Sequence, residues 1–139
     1  MKNYQLLFIA TAFLFAHGAQ AHDEATLDAM HSPHGGQLRM AGAYHFELVA
    51  KANDIAVYVT DHAGTKVPTA GASGNATVLS GKAKATVPLQ PFGDNGMKGG
   101  AQFATAPDMK VVVSITLAGK TLELARFTPM QKGGGMMAH

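Results

Sequence analysis

A chain of 139 residues with no cysteine, no tryptophan and a formal net charge of only +2 excludes several classes at once. It holds no thiolate for metal binding, nucleophilic attack or a disulfide. Its lysines are dispersed from Lys51 to Lys132 and form no basic stripe, so nucleic acid is not an expected partner.

The first elements concern targeting. Lys2 gives a positive start, Leu6 to Phe15 an apolar run, and "AHGAQA" places Ala19 and Ala21 at the small positions of a cleavage site. This is the pattern of a secretory signal peptide over residues 1–21. The run is short for a membrane span and no later stretch matches it, so no span is expected after removal. An exported chain without cysteine must rest on packing alone, and a Gram-negative periplasm is the expected compartment. The remainder, from His22, suits one domain with one core.

Residues 22–33 read as a flexible or short helical lead-in. The one helix candidate is "DEATLDAM", Asp23 to Met30. Its acidic start suits the helix dipole, but its length makes it marginal alone.

From Gln37 the pattern has period two, broken by turn residues. "YHFELVA" puts Phe46, Leu48 and Ala50 on one face and His45, Glu47 and Val49 on the other. "NDIAVYVT" follows, with Ile55, Val57 and Val59 together; residues 51–54 are the turn between them. "ATVLSGKAKATVPL" reads as a hairpin about Ser80-Gly81, and "KVVVSITLAGKTLELARF" as another about Ala118-Gly119-Lys120. A weaker strand is expected over Lys98 to Ala104. Five prolines, at 68, 88, 91, 107 and 129, are expected at strand ends or in loops. About seven or eight short strands predict an all-β fold, an antiparallel immunoglobulin-like β-sandwich over residues 34–129. Residues 130–139, rich in glycine and methionine, are expected to be a disordered tail.

The chemistry concentrates in "HSPHGGQLRMAGAYHFE", residues 31–47. A turn at Ala41-Gly42-Ala43 would set Gln37 near Glu47 and Arg39 near His45. His45 and Glu47 share a strand face because they are two apart. His34 lies at the far end of the partner strand, before a Gly-Gly pair that lets the backbone bend closely, and His31 lies three residues upstream. Imidazoles and a carboxylate could thus converge, a set that suits copper, zinc or nickel. Cleavage after Ala21 would make His22 the N-terminus, whose amine and ring nitrogen chelate copper(II). The candidate metal residues are therefore His22, His31, His34, His45 and Glu47. The other reading stands beside this one: a histidine on an outer strand face is often plain polar surface, and His45 could simply pair with Glu47 or stack on Tyr44. His62, after Asp61 in a loop, reads first as surface, with an approach to the hairpin end as the alternative. Met136, Met137 and His139 close the chain with soft donors; thioethers prefer copper(I), while isolated methionines such as Met40 are usually core filler.

The segments "HGGQL" (34–38), "YHFELV" (44–49), "IAVYVTDHAGTKV" (55–67) and "ARFTP" (125–129) together resemble small exported proteobacterial proteins. They also resemble the short β domain of membrane-fusion subunits of heavy-metal efflux pumps. The matching residues are His34, Gly35, Gly36 and Glu47, then Tyr58, Asp61, Gly64 and Val67. Those pump subunits carry a long helical hairpin that this chain lacks, so the resemblance implies a free-standing relative with an efflux system as a partner. A looser analogy, through His22 and the architecture alone, is to periplasmic copper-resistance proteins.

Two functions follow as expectations. One is a periplasmic protein that binds metal, copper first and zinc second, as chaperone, buffer or sensor. The other is an interaction module with incidental histidines. An enzyme is not expected: no Ser-His-Asp order, phosphate-cradling glycine loop or cysteine nucleophile is present.

Overall fold

Strict alternation becomes burial. Phe46 and Leu48 are fully buried, as are Ile55, Val57 and Val59 on the next strand and Val111, Val113 and Ile115 further on. These side chains form one hydrophobic core. The computed structural model describes residues 24–51 and 53–131. The signal segment, His22 and the closing Met136, Met137 and His139 lie outside the described residues.

A short helix, α1 (Glu24–Ala29), precedes eight strands: β1 (Gln37–Ala41), β2 (Tyr44–Lys51), β3 (Asp54–Asp61), β4 (Ser73–Ser80), β5 (Ala83–Phe92), β6 (Gly96–Gly100), β7 (Lys110–Thr116) and β8 (Leu122–Phe127). Every pairing is antiparallel, in the order β1-β2-β3-β6-β5-β4-β7-β8. The β4-β5-β6 run returns to lie beside β3, and β7 then joins β4. These are two overlapping Greek keys, closed by the long connections 62–72 and 101–109.

The all-β antiparallel expectation therefore holds, with eight strands. The arrangement is one nearly closed, barrel-like sheet and not clearly the expected sandwich, because the ladders of β1-β2-β3-β6 and of β5-β4-β7-β8 run on into each other. The joining element is β5. Residues 83–89 pair with β4, and Gln90, Pro91 and Phe92 pair with β6. Pro88 and Pro91 lie inside this strand, against the expectation that prolines avoid strand interiors. Each lacks the N–H of a ladder, and they bracket the point where β5 changes partner. The expected strand at 98–104 also sits earlier, at Gly96–Gly100. Its glycines give no alternation to read, yet it is a central strand paired on both sides.

The seam between β1 and β8 is closed by a side chain. Gln37 is 1 % exposed. Its Oε1 accepts from the Thr128 backbone N–H at 2.9 Å, and its Nε2 donates to the Thr128 carbonyl at 3.3 Å. The amide stands in for a strand partner. It faces the seam because the β1–β2 loop has only two residues, Gly42 and Ala43, with Ala41 opposite Tyr44. Positive φ at Gly42 alone fits a type II′ hairpin. The three-residue turn expected from the sequence is one residue too long. Leu38, not Gln37, lies opposite Glu47, and Gln37 lies opposite the core residue Leu48. With a period of two, that single step decides which side chains face inward.

Helix α1 covers residues 24–29 of the expected 23–30. It is held by tertiary contacts: Leu27 is buried, and Arg39 from β1 reaches Asp28 at 2.8 Å and Glu24 at 3.8 Å.

The seam gives a first prediction. Gln37→Ala leaves the Thr128 N–H and C=O without their partner, which costs about 1–3 kcal/mol. Urea unfolding should show a lowered midpoint with an unchanged slope; an unchanged midpoint would mean the amide does not close the sheet.

Candidate functional site

Glu47 points away from the core, on the outer face of β2, yet it is only 3 % exposed. The chain that covers it is the lead-in to β1. Gly35, with φ of +72°, turns that lead-in, and Gly36 brings it so close that a Cβ there would lie 2.3 Å from the Leu48 carbonyl. Only glycine allows this approach, which brings the backbone N–H groups onto the carboxylate. Glu47 Oε2 accepts from the N–H of His34 at 2.9 Å and from the N–H of Gly36 at 2.8 Å. Oε1 lies 2.9 Å from Nδ1 of the His34 ring.

These bonds set the state of His34. With Oε2 engaged by two backbone donors and Oε1 accepting from the ring, the ring proton sits on Nδ1 and the lone pair on Nε2. The ring is then fixed from its face. Tyr58, across from Glu47 on β3, stacks on it with centroids 3.6 Å apart and an interplanar angle of 6°. The His34 side chain stays 37 % accessible. A neutral imidazole oriented through Nδ1, with its lone pair on Nε2, is the form in which histidine binds a metal ion. A carboxylate on its other nitrogen is the usual support.

His45 shares the outer face with Glu47, as its spacing predicts, and is 2 % exposed. It stacks on His62 at 4.8 Å and 23°. The loop after β3 carries His62 there. Asp61 Oδ1 accepts from the N–H groups of Ala63 and Thr65, each at 2.9 Å, and the Asp61 N–H donates to the Thr65 carbonyl. The chain then runs back along β3, with Lys66 opposite Thr60 and the Val67 N–H on the Val59 carbonyl. The neighbouring stretch of that edge is held by Asn95, whose side chain donates to the Val59 carbonyl at 3.0 Å.

Lead-in, sheet and loop enclose one cavity of about 130 Å³. The lead-in contributes Met30, His31, Pro33 and His34. The sheet contributes Leu38, His45, Glu47, Tyr58 and Thr60, and the loops Gly64, Lys66 and Asn95. So the structure places His31, His34, His45 and Glu47 around a common space and joins His34 directly to Glu47. It does not gather three or more histidine or acidic side chains into a metal-holding group among the described residues. Glu47 serves as support for the imidazole, and His22 lies outside the described residues. The sequence does not give the two ring partners their roles: Tyr58 enters there only through the resemblance, and the His62 stack depends on the Asp61 turn.

No family model, curated protein or solved structure matches this chain.

The support given to His34 can be tested directly. In Glu47→Gln the amide oxygen can still accept both backbone N–H groups, but its NH₂ now faces Nδ1 and must donate. The ring proton should move to Nε2. Nitrogen-15 chemical shifts of His34 should therefore exchange their assignments between the wild type and Glu47→Gln. Glu47→Ala leaves the backbone donors buried without an acceptor and should lose about 2–4 kcal/mol. Unchanged ring shifts in Glu47→Gln would contradict the assignment of the proton.

Proposed function

We propose that this is an exported, periplasmic metal-binding protein, with copper its metal and zinc the alternative, acting as chaperone, buffer or sensor in metal homeostasis. One observation carries the reading. His34 is held by Glu47 on one nitrogen and by Tyr58 on its face, and it lines a cavity that His31 and His45 line too. Imidazole nitrogen suits copper best among the divalent first-row ions. The signal segment favours export, and a mature end at His22 would add an amine and a further imidazole. The resemblance to efflux-pump β domains favours a heavy-metal efflux system as partner. The "HGG" and "YVTDHAG" segments that carry it are the two that meet, through His34 and Tyr58. The two halves of the barrel, β1-β2-β3-β6 and β5-β4-β7-β8, would then correspond to the layers of an immunoglobulin-like sandwich joined through β5. No catalytic role is assigned.

A non-catalytic interaction module is the second reading. What favours it is the lack of a three-donor His, Asp or Glu group among the described residues. In that reading the Glu47 bonds serve only to pin the lead-in.

Titration of the exported protein with copper and with zinc separates the two. The metal reading expects a dissociation constant tighter than about 10 μM, near −7 kcal/mol; weaker binding of both ions leaves the module. His34→Ala should lose tenfold or more in affinity and His62→Ala less. Equal losses would place the site elsewhere. Because imidazole ligates only when neutral, affinity should fall as pH drops through about 6. Affinity unchanged at pH 5 would point to carboxylate or thioether donors instead.

A further inference from the structure

We propose that the His34 cavity binds copper as copper(I), with the Met30 thioether as the second ligand to the ion; this rests on the metal-binding reading above. Nitrogen and oxygen donors do not complete a set among the described residues. Glu47, the one carboxylate on the cavity, has its oxygens engaged by the His34 ring and two backbone N–H groups. Copper(II) and zinc both favour a full set of nitrogen or oxygen ligands with a compensating negative charge; the cavity's imidazoles are not gathered into such a set, and its one carboxylate is already engaged. It is also lined by Lys66, whose positive charge opposes a dication more than a monocation.

The same cavity does hold a sulfur donor. Met30 follows α1 directly, its N–H bonded to the Leu27 carbonyl at 3.1 Å, which ends the helix at the cavity. Its side chain is not in the hydrophobic core. It is 39 % exposed, unlike the buried Met97 and Met109. A partly exposed thioether and an oriented imidazole on one cavity offer a soft, low-coordinate pair, and thioether ligands select copper(I). His31, next in sequence and on the same cavity, supplies a third donor. The anchor for this arrangement is Leu27, which is 2 % exposed and ties α1 to the sheet, so the thioether is delivered by a packed element.

The experiment is an anaerobic competition for copper(I) against a chromophoric chelator, run with the exported chain beside titrations with copper(II) and zinc(II). Wild type should bind copper(I) at least a hundredfold more tightly than zinc(II). Met30→Leu, which keeps volume and apolar character, should lower copper(I) affinity tenfold or more and leave zinc(II) affinity within twofold. X-ray absorption of the copper(I) complex should show a sulfur scatterer in wild type that disappears in Met30→Leu. Copper(I) affinity and sulfur signal unchanged in Met30→Leu would overturn the thioether assignment, while loss of affinity in His34→Ala would leave the metal-binding reading standing. Failure of wild type to bind any of the three ions overturns both. A sulfur signal that persists in Met30→Leu puts another methionine on the copper and likewise overturns Met30 as its ligand.

Discussion

A buried carboxylate on the outside of a sheet is the constraint around which this end of the molecule is built. Removing an acid from water is costly unless its oxygens find donors, and Glu47 sits where β2 offers none. The donors come from outside the sheet, from the backbone of His34 and Gly36 and from the His34 ring. Satisfying Glu47 therefore requires the chain before β1 to lie flat on β2. That requirement explains the Gly-Gly pair, the stack of His34 on Tyr58, and the position of Met30 and His31 at the cavity. One acid thus converts a free lead-in into a wall of a site.

Much of the barrel could be read from alternation. Phe46 with Leu48, and Ile55 with Val57 and Val59, declare their face because strand geometry repeats every two residues and burial acts on one side. Two features were beyond that signal. The hairpin at Gly42-Ala43 depends on backbone torsions that one glycine permits, and a turn of two residues instead of three moves Gln37 from beside Glu47 to beside Leu48. The closure of the sheet depends on β5 changing partner between Leu89 and Gln90, a long-range choice that no local pattern encodes. A sandwich and a nearly closed barrel share the same strand-by-strand alternation. They differ in how the edges meet, and here a glutamine amide draws them together.

The candidate site was legible in part for the same reason. His45 and Glu47 share a face because they are two apart, and His34 reaches that face once β1 and β2 pair. The roles within the cluster were not legible. In sequence, Glu47 counts as one more ligand. In space its oxygens are already engaged by His34 and Gly36, and its chemistry is to fix which nitrogen of His34 stays open. His62 read as surface because its loop gives no periodicity. Its place over His45 follows from Asp61 capping its own turn.

The position of the site at a junction of chain segments has a further consequence. The core strands are held by ladders and apolar burial that would persist without the site. The cavity walls outside the sheet are held by the Glu47 contacts, by the Asp61 turn with the backbone bonds of Lys66 and Val67 to β3, and by the Arg39 pairs to α1. Local opening follows local bonding, so segments held by few contacts open at less cost than a core strand. Glu47 therefore does two things at once: it orients the His34 imidazole, and its need for donors holds the lead-in on β2.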